Sequence, residues 1–272
     1  MIRSLLFVPA NRADFIAKLD RAPADAVAID LEDGLAPVAR PETRARLDEI
    51  VHSARARAAA GTAVWVRVNA ADTPDFGADC AAAADCGCDG IILAKAESGE
   101  EVERAATLTG RPVLAGIESV AGLFAASEIA HAAQLGVFFG AEDYVVDLGG
   151  RRTAQGLEVL YARSQVALAA RRARVPALDL VTIDMRDDAR CDADAEAGRD
   201  LGYTGKMCIT PRQVERANAA YRPAPEAVEQ AARLIAAYEA AKARGLGAIA
   251  FEGRMVDEPL LRQARAIAGA AT

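Results

Sequence analysis

Residues 113–150 read VLAGIESVAGLFAASEIAHAAQLGVFFGAEDYVVDLGG, and the fold turns on them. Two short apolar runs stand there, at 113–117 and 135–139. Between them, Val120, Leu123, Phe124 and Ile129 recur at helical spacing, so residues 119–131 are expected to form a helix. Strand, helix, strand is a βαβ unit, and its two strands run parallel. Parallel neighbours end on the same side. Glu118, at the end of the first run, and Asp143, just past the second, are therefore expected side by side. Two carboxylates so held share either a proton or a cation. The expectation is a cation, magnesium, with manganese as the close substitute.

The same alternation extends in both directions. Strands are expected at 4–8, 26–30, 63–68 and 90–93 before this unit, and at 178–183 and 206–209 after it. Asn11 is expected to cap a helix whose apolar face is Phe15, Ile16 and Leu19. Further helices are expected at 41–57, opened by Pro41, and at 79–85, 157–174, 193–201 and 211–220. In the helix at 157–174, Val166, Leu168 and Ala169 are expected to face inward. Two more helices follow at 225–244 and 260–270, on either side of a glycine-containing patch at 245–253.

Eight strands alternating with helices close into an α/β fold, a (β/α)8 TIM barrel over 1–222, with a C-terminal helical extension over 223–272. The chain of 272 residues suits the ~250 such a barrel needs. An open dinucleotide-binding sheet would need a glycine-rich turn after the first strand, and VPANRAD is not one.

In a barrel, the residues at strand C-terminal ends gather at one mouth. Here they are Glu32 and Asp33, Arg67 and Asn69, Lys95 and Glu97, Glu118, Glu142 and Asp143, Asp184, and Thr210. Lys95 has two readings, a catalytic one and simple pairing with Glu32 or Asp33. Both histidines, His52 and His131, fall on expected helices, so a histidine-rich zinc site is not expected. Carboxylates alone suit a hard cation.

A net charge of −7 argues against a nucleic-acid partner. Five cysteines without a regular framework suggest reduced thiols in a cytoplasm, with Cys86 and Cys88 as packing residues. No apolar run approaches the ~18 residues of a membrane span.

The pieces RSLLFVPA, AIDLEDGLAP, VRVN, LAKAES, GIESVAGL, GAEDYVVDLG, YARS, GYTGKMCITPRQV and GRMVDEP resemble, in order, the citrate lyase beta-subunit-like proteins. These belong to the HpcH/HpaI aldolase superfamily, which also holds malyl-CoA and citramalyl-CoA lyases. The resemblance implies a homotrimeric TIM barrel that makes or breaks a carbon–carbon bond beside a CoA thioester. It implies Glu118 and Asp143 as magnesium ligands and Arg67 as the contact to substrate oxygen. Lys95 with Glu97, and Glu32 with Asp33, match polar groups of the mouth that meet substrate or order it. Asp257 matches an aspartate on a C-terminal lid that acts on the acyl-CoA methyl proton in a neighbouring subunit's site. Two positions depart from the family pattern, Ala10 for a glycine and Thr210 for a histidine. Arg3, Arg12, Lys18 and Arg151 are candidate CoA contacts by charge and position. The alternatives are a metal-dependent aldolase on free 2-keto acids, a Schiff-base aldolase using Lys95, and a partner subunit of a citrate lyase-type complex.

Overall fold

The computed structural model describes residues 2–269. Eight strands, β1 Ser4–Pro9, β2 Ala26–Asp30, β3 Ala63–Val68, β4 Gly90–Leu93, β5 Val113–Ile117, β6 Gly136–Phe139, β7 Ala177–Asp179 and β8 Gly205–Cys208, form a closed barrel in chain order. Every pairing is parallel, and β8 returns to β1 through Leu5↔Met207. The expected (β/α)8 barrel is the fold.

Period-two alternation divides each strand between two cores. One residue or two per strand, Leu5, Ala26, Ala28, Trp65, Ile92, Leu114, Phe138, Leu178 and Met207, fill the barrel interior. Their neighbours, among them Leu6, Val27, Val64, Ile91, Val113 and Val137, pack under the helices. All five cysteines are buried free thiols, and Cys86 and Cys88 both lie against the Ala83 carbonyl.

Several expectations need correction. Asn11 caps nothing: the helix Ala13–Ile16 starts after Arg12 and has no side-chain cap. Phe15 is exposed under the Arg12 guanidinium, 3.6 Å from its ring centroid, while Ile16 and Leu19 are buried. The helix expected at 41–57 is two, Arg40–Ala45 and Leu47–Arg57, broken where Arg46 leaves helical φ. The helix expected at 119–131 is also two, Val120–Phe124 and Ala126–Ala132, and the break turns Phe124 outward. On the helix Leu157–Ala173, Val166 and Ala169 are buried but Leu168 faces out.

The apolar run at 178–183 stays in the sheet only to Asp179. Beyond it, side chains replace the ladder. Lys206 Nζ donates to the Leu180 carbonyl at 2.6 Å, and Gln213 Nε2 to the Thr182 carbonyl at 2.7 Å. Asp179 itself is buried and holds Arg163 through Nε at 2.9 Å. That ion pair pins the helix Leu157–Ala173 to the barrel wall, so the arginine of YARS lies away from the mouth.

Residues from Arg222 onward form a second compact unit. The helices Pro225–Lys242 and Glu258–Gly269 pack around Tyr238, Val256 and Leu261. The glycine patch conceals a hairpin, β9 Ile249–Phe251 and β10 Arg254–Val256, paired antiparallel. Its two-residue turn, Glu252–Gly253, has φ of +48° and +80°, the left-handed pair that matches strand twist. Ala270, where the last helix was expected to end, lies outside the described residues. Among the described residues, no helix is long and apolar enough to cross a membrane.

Candidate active site

The inward-facing register of the strands supplies the site. On β2, Ala26 and Ala28 face in, so Asp30 does too. On β3, Trp65 faces in, and Arg67 follows it by two. On β5, Leu114 faces in, and so do Gly116 and Glu118 above it. Asp30 and Arg67 are opposite each other in the β2–β3 register, and Ile117 is opposite Phe139 in the β5–β6 register. One step past those strand ends, Glu118 meets Gly140.

Two glycines make room for Glu118. A Cβ at Gly116 would collide with its Oε1 and with the Phe138 ring, and a Cβ at Gly140 would collide with its Oε2. Glu118 is 4% exposed. Burial pushes its pKa up, to about 7; Arg67 and the Lys95 amide pull it back, and Glu32 and Asp143 push it further up. A buried carboxylate in this state is short of positive charge.

Asp143 lies in the first turn of the helix Ala141–Asp147, where the helix dipole favours an anion. Glu118, Asp143, Arg67, Asp30 and Asp33 line one cavity of about 400 Å³ at the barrel mouth, walled by Phe7, Phe138 and Met207. That size suits a small organic acid. Among the described residues, no three His, Cys, Asp or Glu side chains form a metal cage. The protein's share would be two carboxylates, the pattern of magnesium, which keeps its other positions for water and substrate oxygen. The all-oxygen donor pair, the buried anion and the glycine cradle fit such an ion.

Arg67 is fixed on three sides. Nε and Nη2 each donate to Asp30 at 2.7 Å, and the Phe7 ring centroid lies 4.8 Å from the guanidinium carbon. Nη1 is 2.9 Å from Glu32 Oε2, yet that oxygen accepts no aligned hydrogen bond. Burial opposes the guanidinium charge, but Asp30, Glu32 and Glu118 outweigh it and hold Arg67 protonated. Asp30 also accepts from the amides of Glu32 at 2.9 Å and Gly34 at 2.9 Å, so the acidic loop is anchored to the arginine.

Lys95 has φ of +50°, a left-handed conformation unusual for a residue with a side chain. Its amide donates to Glu118 Oε1 at 3.0 Å. Its Nζ is 2.6 Å from Glu32 Oε1, 3.4 Å from Asp33 Oδ2 and 3.4 Å from Asp143 Oδ1. The pairing with Glu32 and Asp33 is present. Burial works against the ammonium, and these three carboxylates more than offset it.

Several of the remaining candidates hold the scaffold. Glu97 accepts from Ser119 Oγ at 2.6 Å, and Ser119 caps the helix Val120–Phe124. Asn69 donates to Asp79 Oδ2 at 2.6 Å and to the Leu31 carbonyl at 3.1 Å. Thr210 caps the helix Pro211–Ala220, and Asp184 accepts from the Arg186 amide at 2.9 Å. Glu142 lines the cavity and pairs with Arg152 at 2.9 Å. Arg3 precedes β1, at the end opposite the mouth, and is held by Asp25. Arg12 remains on the mouth side, paired with Asp14 at 2.8 Å. Asp257 follows β10 in the second unit, ahead of the helix Glu258–Gly269. Asp30 was not singled out from sequence, although alternation along AVAID puts it inside.

The model of the HpcH/HpaI aldolase/citrate lyase family matches residues 3–211. A citrate lyase subunit beta-like protein of Deinococcus radiodurans is 46% identical over 276 residues, spanning 98% of this chain and 96% of that protein. A (3S)-malyl-CoA thioesterase of Cereibacter sphaeroides is 33% identical, spanning 94% and 89%. Among solved structures, CitE of Mycobacterium tuberculosis in complex with magnesium, acetoacetate and coenzyme A superposes with a TM-score of 0.84 at 35% identity, spanning 98% and 97%.

Proposed function

This chain belongs to the HpcH/HpaI aldolase/citrate lyase family, and on that premise we propose that it is a magnesium-dependent carbon–carbon lyase. Its substrate is a 3-hydroxyacyl-CoA of the citramalyl-, malyl- or citryl-CoA type, and its products are an α-keto acid and acetyl-CoA. The observation that carries this is the convergence of Glu118, Asp143 and Arg67 on one cavity.

Glu118 and Asp143 would hold the ion. When bound, magnesium supplies Lewis-acid polarisation of the substrate oxygen next to the bond that breaks. Arg67 lines the same cavity. Because Asp30 and Phe7 fix the guanidinium in advance, it stabilises developing negative charge on a substrate oxygen without reorganising. Cleavage passes the hydroxyl proton to solvent water and moves the bonding pair onto the acetyl carbon, giving an α-keto acid and a thioester enolate. Asp257, in its protonated form, donates a proton to that carbon; in the condensation direction it removes one. Support for Asp257 is the GRMVDEP match, which also supports a homotrimer in which it reaches a neighbouring copy. Support for CoA and magnesium is the ligand set of the related CitE structure. The five buried free thiols suit a reducing cytoplasm.

The relative named as a thioesterase gives a second reading, in which thioester hydrolysis follows or replaces cleavage. Incubation with a panel of acyl-CoA thioesters and free hydroxy-keto acids, read by mass spectrometry, tests both. Keto acid plus acetyl-CoA supports the lyase, and free CoA plus hydroxy acid supports the hydrolase. Turnover of the free acids alone overturns both.

A further inference from the structure

Lys95 touches both carboxylates assigned to the metal, and it does so in two different ways. Its neutral amide donates to Glu118 Oε1 at 3.0 Å. Its charged Nζ is 3.4 Å from Asp143 Oδ1. An amide shares a carboxylate with a cation at little electrostatic cost, whereas an ammonium repels one. Asp143 is also the looser partner, with its side chain 42% exposed. The ammonium has somewhere else to go. Glu32 Oε1 is already 2.6 Å from Nζ, and Asp33 Oδ2 lies 3.4 Å from it. Lys95 has a left-handed backbone, φ +50°, and both its amide and its Nζ reach carboxylates of the mouth.

Resting on the metal site proposed above, we propose that the Lys95 ammonium competes with the divalent cation for Asp143 and withdraws onto Glu32 and Asp33 when the ion binds. Ion binding is thereby linked to the acidic loop, whose amides at Glu32 and Gly34 are tied to Asp30 and through it to Arg67. Lys95 acts as a positioning residue that sets how tightly the site holds its cation before substrate arrives.

The test is Mn2+ titration without substrate, read by electron paramagnetic resonance, on wild type, Lys95→Met and Lys95→Arg. Lys95→Met is expected to bind about tenfold more tightly, since a like charge leaves the site, and Lys95→Arg about as wild type does. Unchanged or weaker binding in Lys95→Met, with binding in wild type intact, overturns this proposal alone. No binding in wild type overturns the metal site and this proposal with it. A second readout does not need the Met variant to fold. The chain has four lysines, Lys18, Lys95, Lys206 and Lys242, so its 13C-dimethyl-lysine spectrum is sparse. Mg2+ is expected to shift the Lys95 signal, identified by its loss in Lys95→Arg. A Lys95 signal unmoved at saturating Mg2+ overturns the withdrawal.

Discussion

Arg67 and Asp30 meet fork to fork, with Nε and Nη2 each 2.7 Å from a carboxylate oxygen. Only arginine offers two parallel donors in that geometry. Arg67→Lys is therefore expected to lower kcat by about 100-fold or more, because the point charge of lysine cannot be held by Asp30 and still face substrate. Asp30→Asn keeps the shape and loses the charge; it is expected to cost about tenfold or more in kcat/KM through a misplaced guanidinium. Steady-state kinetics, with circular dichroism to confirm the fold, checks both.

Gly140 leaves the space in which the Glu118 carboxylate lies. Its φ of −91° is open to any residue, so the effect of a side chain there is steric alone. Gly140→Ala is expected to destabilise the barrel by about 1–3 kcal/mol through overpacking. Glu118→Ala in the same background is expected to recover most of that loss, since the clash needs both groups. Urea denaturation of the four proteins of this cycle measures the coupling.

Asp25 holds Arg3 at the closed end of the barrel, accepting from its backbone amide, Nε and Nη2 at 2.7, 2.8 and 2.7 Å. Burial raises the Asp25 pKa, but the Arg3 hydrogen bonds outweigh it and leave the pKa lowered. A lowered carboxylate contributes stability that is present above its unfolded pKa and lost as pH falls through the folded value. Asp25→Asn is thus expected to cost about 1–2 kcal/mol at pH 7. The gap to wild type should start to close below about pH 4, where the carboxyl of the unfolded chain protonates ahead of the folded one, and close fully below the lowered folded pKa. Denaturation midpoints across pH check the sign.

If Asp257 serves a neighbouring copy, chains lacking Arg67 and chains lacking Asp257 complement each other. Arg67→Ala and Asp257→Ala, each inactive alone, are expected to regain activity when unfolded, mixed and refolded together. Continued inactivity of the mixture, with each variant folded, removes the shared site.

Most of the barrel was legible because its signals are local and repeated. Runs such as AVAID, AVWVRV and GIIL are apolar, short and closed by polar residues, which buried parallel strands require. The two acids at 118 and 143 could be placed from topology alone, because parallel strands share an exit side. Asp30 was legible in principle, since strict alternation from Ala26 turns it inward; ending an apolar strand, it passed as a boundary residue. The breaks at Arg46 and Ala125 were not legible, because helical periodicity continues across both. The early end of β7 depends on Lys206 and Gln213 reaching across to its carbonyls, contacts about 26 and 31 residues away in sequence that no window contains. The hairpin around Glu252–Gly253 was not legible, because its strands are three residues each, too short for alternation to register.

Isothermal titration with Mn2+ in the presence of a saturating α-keto acid, on wild type, Glu118→Gln and Asp143→Asn, decides whether the mouth is a metal centre. One ion per chain is expected in wild type, with binding lost in either variant while the circular dichroism spectrum stays unchanged. Equal binding in all three proteins would contradict it, and would remove the divalent ion from the cavity that Glu118 and Asp143 share.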